Sequence, residues 1–202
     1  MKENKKKMNL PNKLTILRVL LVPVFVACVL YITNIYVRGL VSAAVFIITA
    51  TTDFIDGKIA RKYKLVTNFG KFMDPLADKF MIFASLLSIT VTIDAEDVIF
   101  KSVMVWVSAI VFFRELAVTS IRLVCSGAGA GVIAASFFGK CKTLSQCVCI
   151  CALLIEPVLF KLIGVTDYHI ISYVTIAVMT FMTVASGIDY YKTYSKYLDP
   201  NE

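Results

Sequence analysis

The stretch of sequence that decides the fold runs from Thr52 to Lys79 and reads TDFIDGKIARKYKLVTNFGKFMDPLADK. It joins two apolar segments and contains four aspartates, Asp53, Asp56, Asp74 and Asp78. The first two are three residues apart, so a helix places them about 60° apart on one face, and the last two, four residues apart, are separated by about 40°. A turn between the two pairs can bring all four carboxylates together.

Four carboxylates at the ends of apolar segments require compensation, because an unpaired aspartate in hydrocarbon is costly. Hard divalent cations with oxygen ligands provide that compensation. Two such ions a few ångström apart would suit in-line phosphoryl transfer, because they stabilise the attacking and leaving oxygens together. The alternative is a set of ordinary interfacial aspartates paired with nearby lysines. The spacing of four aspartates on two helix ends favours the metal site.

The rest of the composition is typical of a helical membrane protein. The chain has 202 residues, of which 58% are hydrophobic and 17% charged, and its mean hydropathy is +0.79. Soluble domains carry about 25% charged residues. We therefore predict one all-α membrane domain over residues 1–202, with six transmembrane helices preceded by a short interfacial segment, Asn9–Thr15. The predicted spans are Ile16–Thr33, Gly39–Ile55, Phe72–Ile93, Val98–Cys125, Leu144–Ile163 and Ile170–Tyr190.

The basic residues predict the orientation of the chain. The net charge is +7, and in so apolar a chain anionic lipid or an anionic substrate fits better than nucleic acid, which we do not expect as a partner. With the N-terminus inside, every lysine and arginine lies on the inner side except Arg38, Lys101 and Lys161. The positive-inside rule then places both termini and the four aspartates on the cytoplasmic side.

The aspartate block has a family resemblance. The pattern Asp53-x2-Asp56-Gly57-x2-Ala60-Arg61-x8-Gly70-x3-Asp74-x3-Asp78 resembles the signature of the CDP-alcohol phosphatidyltransferases at all eight of its positions. The resemblance implies a six-helix membrane domain, a homodimer, and two Mg²⁺ or Mn²⁺ ions bound by the four aspartates, with release of CMP from a CDP-linked substrate. It further implies Asp78 as the general base. The implied donor-binding residues are Asp53, Gly57, Ala60, Arg61 and Gly70.

Other motifs indicate a branch of that family. The opening Asn9-Leu-Pro-Asn-Lys-Leu-Thr-Ile-Leu-Arg18, the triplet Phe113-Arg114-Glu115, the stretch Gly139–Gln146 and the closing Ser186-Gly187-Ile-Asp189-Tyr190 resemble its bacterial members that act on CDP-diacylglycerol. The acceptor implied by the resemblance is glycerol 3-phosphate, and the implied location is a bacterial plasma membrane. A cardiolipin synthase of the same family, with phosphatidylglycerol as acceptor, is the nearest alternative.

A group of cations independently favours a phosphorylated acceptor. Arg114 and Arg122 are about two helical turns apart on nearly the same face, and Lys140 and Lys142 open the fifth predicted span on the same side of the membrane. Four cations suit a dianionic phosphate. An Arg114–Glu115 ion pair is the alternative, but adjacent helical residues point about 100° apart and are poorly placed to pair.

A divalent-cation transporter is the alternative from another functional class, because charged residues within membrane spans also mark ion pathways. The four aspartates, however, lie at span ends on one predicted side of the membrane. The predicted outer half has no matching charges that would continue a path. The sequence therefore favours the enzyme.

Overall fold

The computed structural model describes residues 9–62, 67–127, 137–164 and 169–195, without the side chains of residues 10, 11, 53–62, 68, 71, 126 and 127. The described residues contain helices and no strand, which confirms the all-α prediction. The helices are α1 (Leu10–Tyr31), α2 (Ile35–Lys62), α3 (Asn68–Val91), α4 (Val98–Gly127), α5 (Phe137–Leu162) and α6 (Ile170–Tyr194).

Within the described residues, five helices are long and apolar enough to cross a membrane: α1, α2, α4, α5 and α6. The remaining helix, α3, carries Asp74, Asp78 and Lys79 in its first half and is apolar beyond them. The apolar span of α2 ends at Thr52, whereas its helix continues to Lys62. The aspartate block therefore lies where helical structure extends past, or begins before, the apolar part of the chain, as expected for a site at a membrane surface.

Four helices begin before the predicted spans, namely α1, α2, α3 and α5, and the differences are largest for α1 and α5. Asn9–Thr15 does not form a separate segment, because α1 is continuous from Leu10 to Tyr31. Pro11 lies in the first turn of α1, where a missing N–H costs no hydrogen bond within the helix. Helix α5 begins at Phe137 instead of Leu144, so Lys140 and Lys142 are helical residues in its first two turns.

The chain divides into two compact units, residues 1–88 and 89–202. In the first unit α1 packs along α2, and the rings of Phe25 and Phe46 lie 6.0 Å apart between them. In the second unit α6 packs against both α5 and α4. The predicted metal ligands belong to the first unit, and the predicted phosphate-binding cations belong to the second.

A buried carboxylate joins α5 to α6 in the second unit. Glu156 of α5 is 1% exposed and accepts hydrogen bonds from the backbone N–H groups of Ile171 at 2.7 Å and Ser172 at 2.8 Å, and from the Ser172 hydroxyl. These N–H groups belong to the first turn of α6. The N–H groups of a first turn have no hydrogen-bond acceptor within their own helix. The carboxylate of one helix thus caps the next, and it also interacts favourably with the positive end of the helix dipole.

Candidate active site

Polar side chains of α1 hold the two described aspartates of α3. The Thr15 hydroxyl donates a hydrogen bond to Asp74 Oδ1 at 2.6 Å, and the Arg18 guanidinium forms an ion pair with Asp78. Thr15 and Arg18 are 1% and 0% exposed, whereas the side chain of Asp78 is 48% exposed. Each carboxylate is therefore anchored from a buried side while remaining partly accessible.

Gly70 lies where the first turn of α3 meets α1. It is buried, and a Cβ added to it would lie 3.3 Å from Asn12 Oδ1 and 3.6 Å from Asp74 Oδ2. The Thr67 hydroxyl donates to Asn12 Oδ1 at 2.9 Å and accepts from the Gly70 N–H at 3.0 Å. The missing side chain of Gly70 thus permits a close approach of α1 to α3. Its predicted role in binding the CDP-linked lipid stays a prediction.

The remaining residues of the aspartate block belong to α2. The backbone of Asp53, Asp56, Gly57, Ala60 and Arg61 is helical, and their side chains lie outside the described residues. The convergence of all four carboxylates therefore stays a prediction. Among the side chains that are described, no group of three or more potential metal ligands occurs, and two of the four predicted ligands are not among them.

The described half of the predicted metal site fits a hard divalent cation. Asp74 and Asp78 are one turn apart on the same helix, so their carboxylates share a face, and both are partly exposed. Carboxylate oxygens are the ligands that Mg²⁺ and Mn²⁺ prefer. The contacts from Thr15 and Arg18 fix the side chains of Asp74 and Asp78, and fixed carboxylates suit a metal site of defined geometry.

The second unit brings three of the four predicted phosphate-binding cations into one network. Arg114 Nη2 donates to Ser186 Oγ at 2.8 Å, and Arg122 donates to the Tyr190 hydroxyl, with its guanidinium carbon 5.0 Å from the centre of the Tyr190 ring. The guanidinium carbon of Arg114 lies 5.9 Å from the same ring. Ser186 and Tyr190, one turn apart on α6, thus orient the two arginines, which lie two turns apart on α4.

Glu115 connects this network to α5. Its carboxylate forms an ion pair with Lys142 and lies 3.4 Å from Arg114 Nη1. The prediction that Arg114 and Glu115 are poorly placed to pair was wrong, because the long side chains reach each other although their Cα–Cβ bonds diverge. Three cations and one carboxylate leave a formal net charge of +2, so the network still suits an anionic group. Lys140 is exposed on α5 and joins none of these contacts within the described part of the chain.

Five of the residues that build these sites had no predicted role in binding or catalysis: Thr15, Arg18, Glu115, Ser186 and Tyr190. A signal was present for most of them. Thr15 and Arg18 are three residues apart, close to the four-residue spacing of the aspartates they contact, and Ser186 and Tyr190 are also one turn apart. Polar residues spaced by one helical turn inside apolar segments indicate a shared polar face.

Comparison with known proteins identifies the family. The sequence profile of the CDP-alcohol phosphatidyltransferases matches residues 8–187. The chain belongs to this family. All the site residues described above except Tyr190 lie within the matched range. As a member of the family with several membrane-spanning helices, the protein is an integral membrane protein.

Several bacterial proteins are similar to the chain over most of its length. A Bacillus subtilis protein named CDP-diacylglycerol–glycerol-3-phosphate 3-phosphatidyltransferase is 39% identical over 193 residues, covering 91% of this chain and 93% of the relative. A probable phosphatidylglycerophosphate synthase of Mycobacterium tuberculosis is 37% identical, covering 90% of this chain and 79% of the relative. A Rickettsia felis protein with the same name as the Bacillus relative is 32% identical, covering 94% and 97%.

Proposed function

We propose that this protein transfers the phosphatidyl group of CDP-diacylglycerol to sn-glycerol 3-phosphate, giving phosphatidylglycerophosphate and CMP. Family membership and the names of the bacterial relatives support this reaction. The structural observation that carries the acceptor assignment is the network of Arg114, Arg122 and Lys142, three cations oriented by side chains of α4 and α6. Arginine guanidinium groups bind phosphate through paired hydrogen bonds.

The donor site in this proposal is the aspartate block. Asp53, Asp56, Asp74 and Asp78 hold two divalent cations, Mg²⁺ or Mn²⁺, and the bound cations supply Lewis-acid polarisation of the pyrophosphate. Gly57, Ala60, Arg61 and Gly70, with Asp53, seat the CDP-linked lipid. Gly57 and Ala60 are small enough to let a nucleotide approach the helix backbone closely.

The acceptor side of the proposal uses the cation network. Arg114, Arg122, Lys140 and Lys142 bind the phosphate of glycerol 3-phosphate and so position its primary hydroxyl. The hydroxyl oxygen forms a bond to the phosphatidyl phosphorus while the bond from that phosphorus to the CMP oxygen breaks. The hydroxyl proton passes to the Asp78 carboxylate, which is accessible enough to receive it. CMP leaves with the electron pair of the broken bond.

The location proposed for this reaction is the cytoplasmic face of a bacterial plasma membrane. Both termini lie on the same face, which the distribution of lysine and arginine supports. The acyl chains of the donor and product remain among the membrane lipids. A homodimer is part of the proposal on family grounds.

The test is CMP release by the purified protein in detergent with CDP-diacylglycerol, Mg²⁺ or Mn²⁺, and one acceptor at a time. We expect release with glycerol 3-phosphate and none with phosphatidylglycerol, inositol phosphate or serine. Release with phosphatidylglycerol alone would instead make the protein a cardiolipin synthase. A folded protein that releases no CMP but carries a divalent ion across a liposome membrane would be a transporter.

A matched pair of variants tests the catalytic assignment in the same assay. Asp78→Asn keeps the size of the side chain and removes its ability to accept the proton, so turnover should nearly vanish. Asp94→Asn makes the same change in the exposed connection before α4 and should leave turnover unchanged. Near-normal turnover of Asp78→Asn would exclude the proposed base. Retention of configuration at phosphorus would exclude the single displacement.

A further inference from the structure

Helix α1 presents a buried polar stripe to α3. Asn12, Thr15 and Arg18 are spaced three residues apart and are 8%, 1% and 0% exposed, and beyond them α1 is apolar from Val19 to Leu30. Thr15 contacts Asp74 and Arg18 contacts Asp78, while Asn12 contacts Thr67 just before α3. Polar side chains inside a membrane span are costly and are retained where they have a specific partner.

We propose that Thr15 and Arg18 are positioning residues that fix the carboxylates of Asp74 and Asp78 for binding a divalent cation. This inference rests on the proposed function in one respect only, namely that these two aspartates are metal ligands. It does not depend on which alcohol accepts the phosphatidyl group. Neither residue needs to touch the metal or the substrate.

The geometry at Asp74 shows how Thr15 acts. Its hydroxyl donates to Oδ1 at 2.6 Å, so that oxygen is fixed from the side of α1. Oδ2 lies on the side of Gly70, 3.6 Å from where a Cβ of that residue would be. A carboxylate held through one oxygen presents the other in a defined direction. Partners of this kind orient metal ligands, and removing one typically weakens metal binding about 10- to 100-fold.

Arg18 acts on Asp78 in the same way and also balances its charge. The guanidinium is fully buried, whereas the carboxylate is about half exposed. The arginine is therefore the fixed partner and the aspartate the one held in place. A buried cation also limits the net negative charge that four aspartates would otherwise place together, without occupying the exposed side of Asp78.

Thr15 is the better residue to test, because removing the buried charge of Arg18 would leave a folding defect as an alternative explanation. Thr15→Val keeps the shape of the side chain and removes the hydroxyl, whereas Thr15→Ser keeps the hydroxyl. The matched control is Thr49→Val: Thr49 is 2% exposed in α2 of the same unit, and its hydroxyl donates to the backbone oxygen of Val45 at 2.6 Å.

The measurement is Mn²⁺ affinity of the purified protein in detergent without substrates, followed by the paramagnetic resonance signal of free Mn²⁺. Thr15→Val should bind Mn²⁺ about 10- to 100-fold more weakly than the unaltered protein. Thr15→Ser should restore most of the affinity, and Thr49→Val should bind as the unaltered protein does. Thermal unfolding of each variant is measured in parallel. Thr15→Val and Thr49→Val should have similar unfolding temperatures, so that they differ only in Mn²⁺ affinity.

Three results would overturn the positioning role. They are unchanged Mn²⁺ affinity of Thr15→Val, an equal loss in Thr49→Val, and absence of Mn²⁺ binding by the unaltered protein. Failure of the proposed function would give a different experimental result. A protein that binds Mn²⁺ in a Thr15-dependent manner but releases no CMP with glycerol 3-phosphate would disprove the acceptor and keep the role of α1.

Discussion

Replacing Arg114 by lysine is the sharpest test of the acceptor site, because it keeps the positive charge and removes the forked geometry. The guanidinium uses Nη2 for Ser186 at 2.8 Å and has Nη1 3.4 Å from Glu115. Its side chain is only 11% exposed. A lysine has a single terminal nitrogen, so it cannot hold Ser186 and bind a phosphate with the same geometry.

The size of the effect follows from the bond that is lost. A hydrogen bond to a charged group contributes about 1.5 to 3 kcal/mol. At about 1.4 kcal/mol per tenfold, this corresponds to a rise of roughly 10- to 150-fold in KM for glycerol 3-phosphate. KM for CDP-diacylglycerol should change little, because the donor site proposed above uses other residues. The split between the two KM values distinguishes loss of phosphate binding from general damage.

The assay is CMP release as a function of each substrate in turn. The matched control is Arg38→Lys, the same substitution at the start of α2, which should leave both KM values unchanged. A KM for glycerol 3-phosphate within about twofold of the unaltered protein would refute the reasoning, since it would mean that the bidentate geometry of Arg114 contributes nothing. An equal rise of both KM values with a lower unfolding temperature would also refute it.

Substitutions at three further positions test the packing of the helices. Gly187→Ala should raise KM for glycerol 3-phosphate about threefold to tenfold in the same CMP assay, because the new Cβ would lie 3.3 Å from Arg114 Cγ and displace that side chain. Gly70→Ala should weaken Mn²⁺ binding, because its Cβ would meet Asn12 at 3.3 Å; unchanged affinity would argue against the close approach of α1. Glu156→Leu should lower the free energy of unfolding in detergent by about 2 to 5 kcal/mol, because it leaves two N–H groups of α6 without their acceptor, and Glu156→Gln should lose less.

The helices could be predicted from the sequence because their cause is local. Apolar runs of about 20 residues must satisfy their backbone hydrogen bonds internally when they enter a membrane, and the helix is the way to do so. The fourth and sixth predicted spans begin at Val98 and Ile170, and α4 and α6 begin at the same residues. The starts of α1, α2, α3 and α5 differ, because hydropathy marks where a helix becomes apolar and not where its hydrogen bonding begins.

The chemistry of the site was predictable to the extent that it depends on residue type and spacing. Carboxylates three and four residues apart must share helix faces, and this much holds for Asp74 and Asp78 in the structure. Which helix supports them is a different question, since contacts between α1 and α3 join residues 59 and 60 positions apart in the chain. Spacing within a helix specifies a face, and only the packing of helices specifies its partner.

Glu115 shows why charge counting alone misjudges a buried site. Four nearby cations suggest a strong anion site, but in the structure one carboxylate already interacts with Arg114 and Lys142. Cations held together without any anion would repel each other in a medium of low dielectric. A carboxylate that neutralises part of this charge lets the network exist before a phosphate arrives, and the remaining positive charge still favours binding. The residue that weakens the apparent charge of the site is thus the one that allows the cations to be assembled in advance.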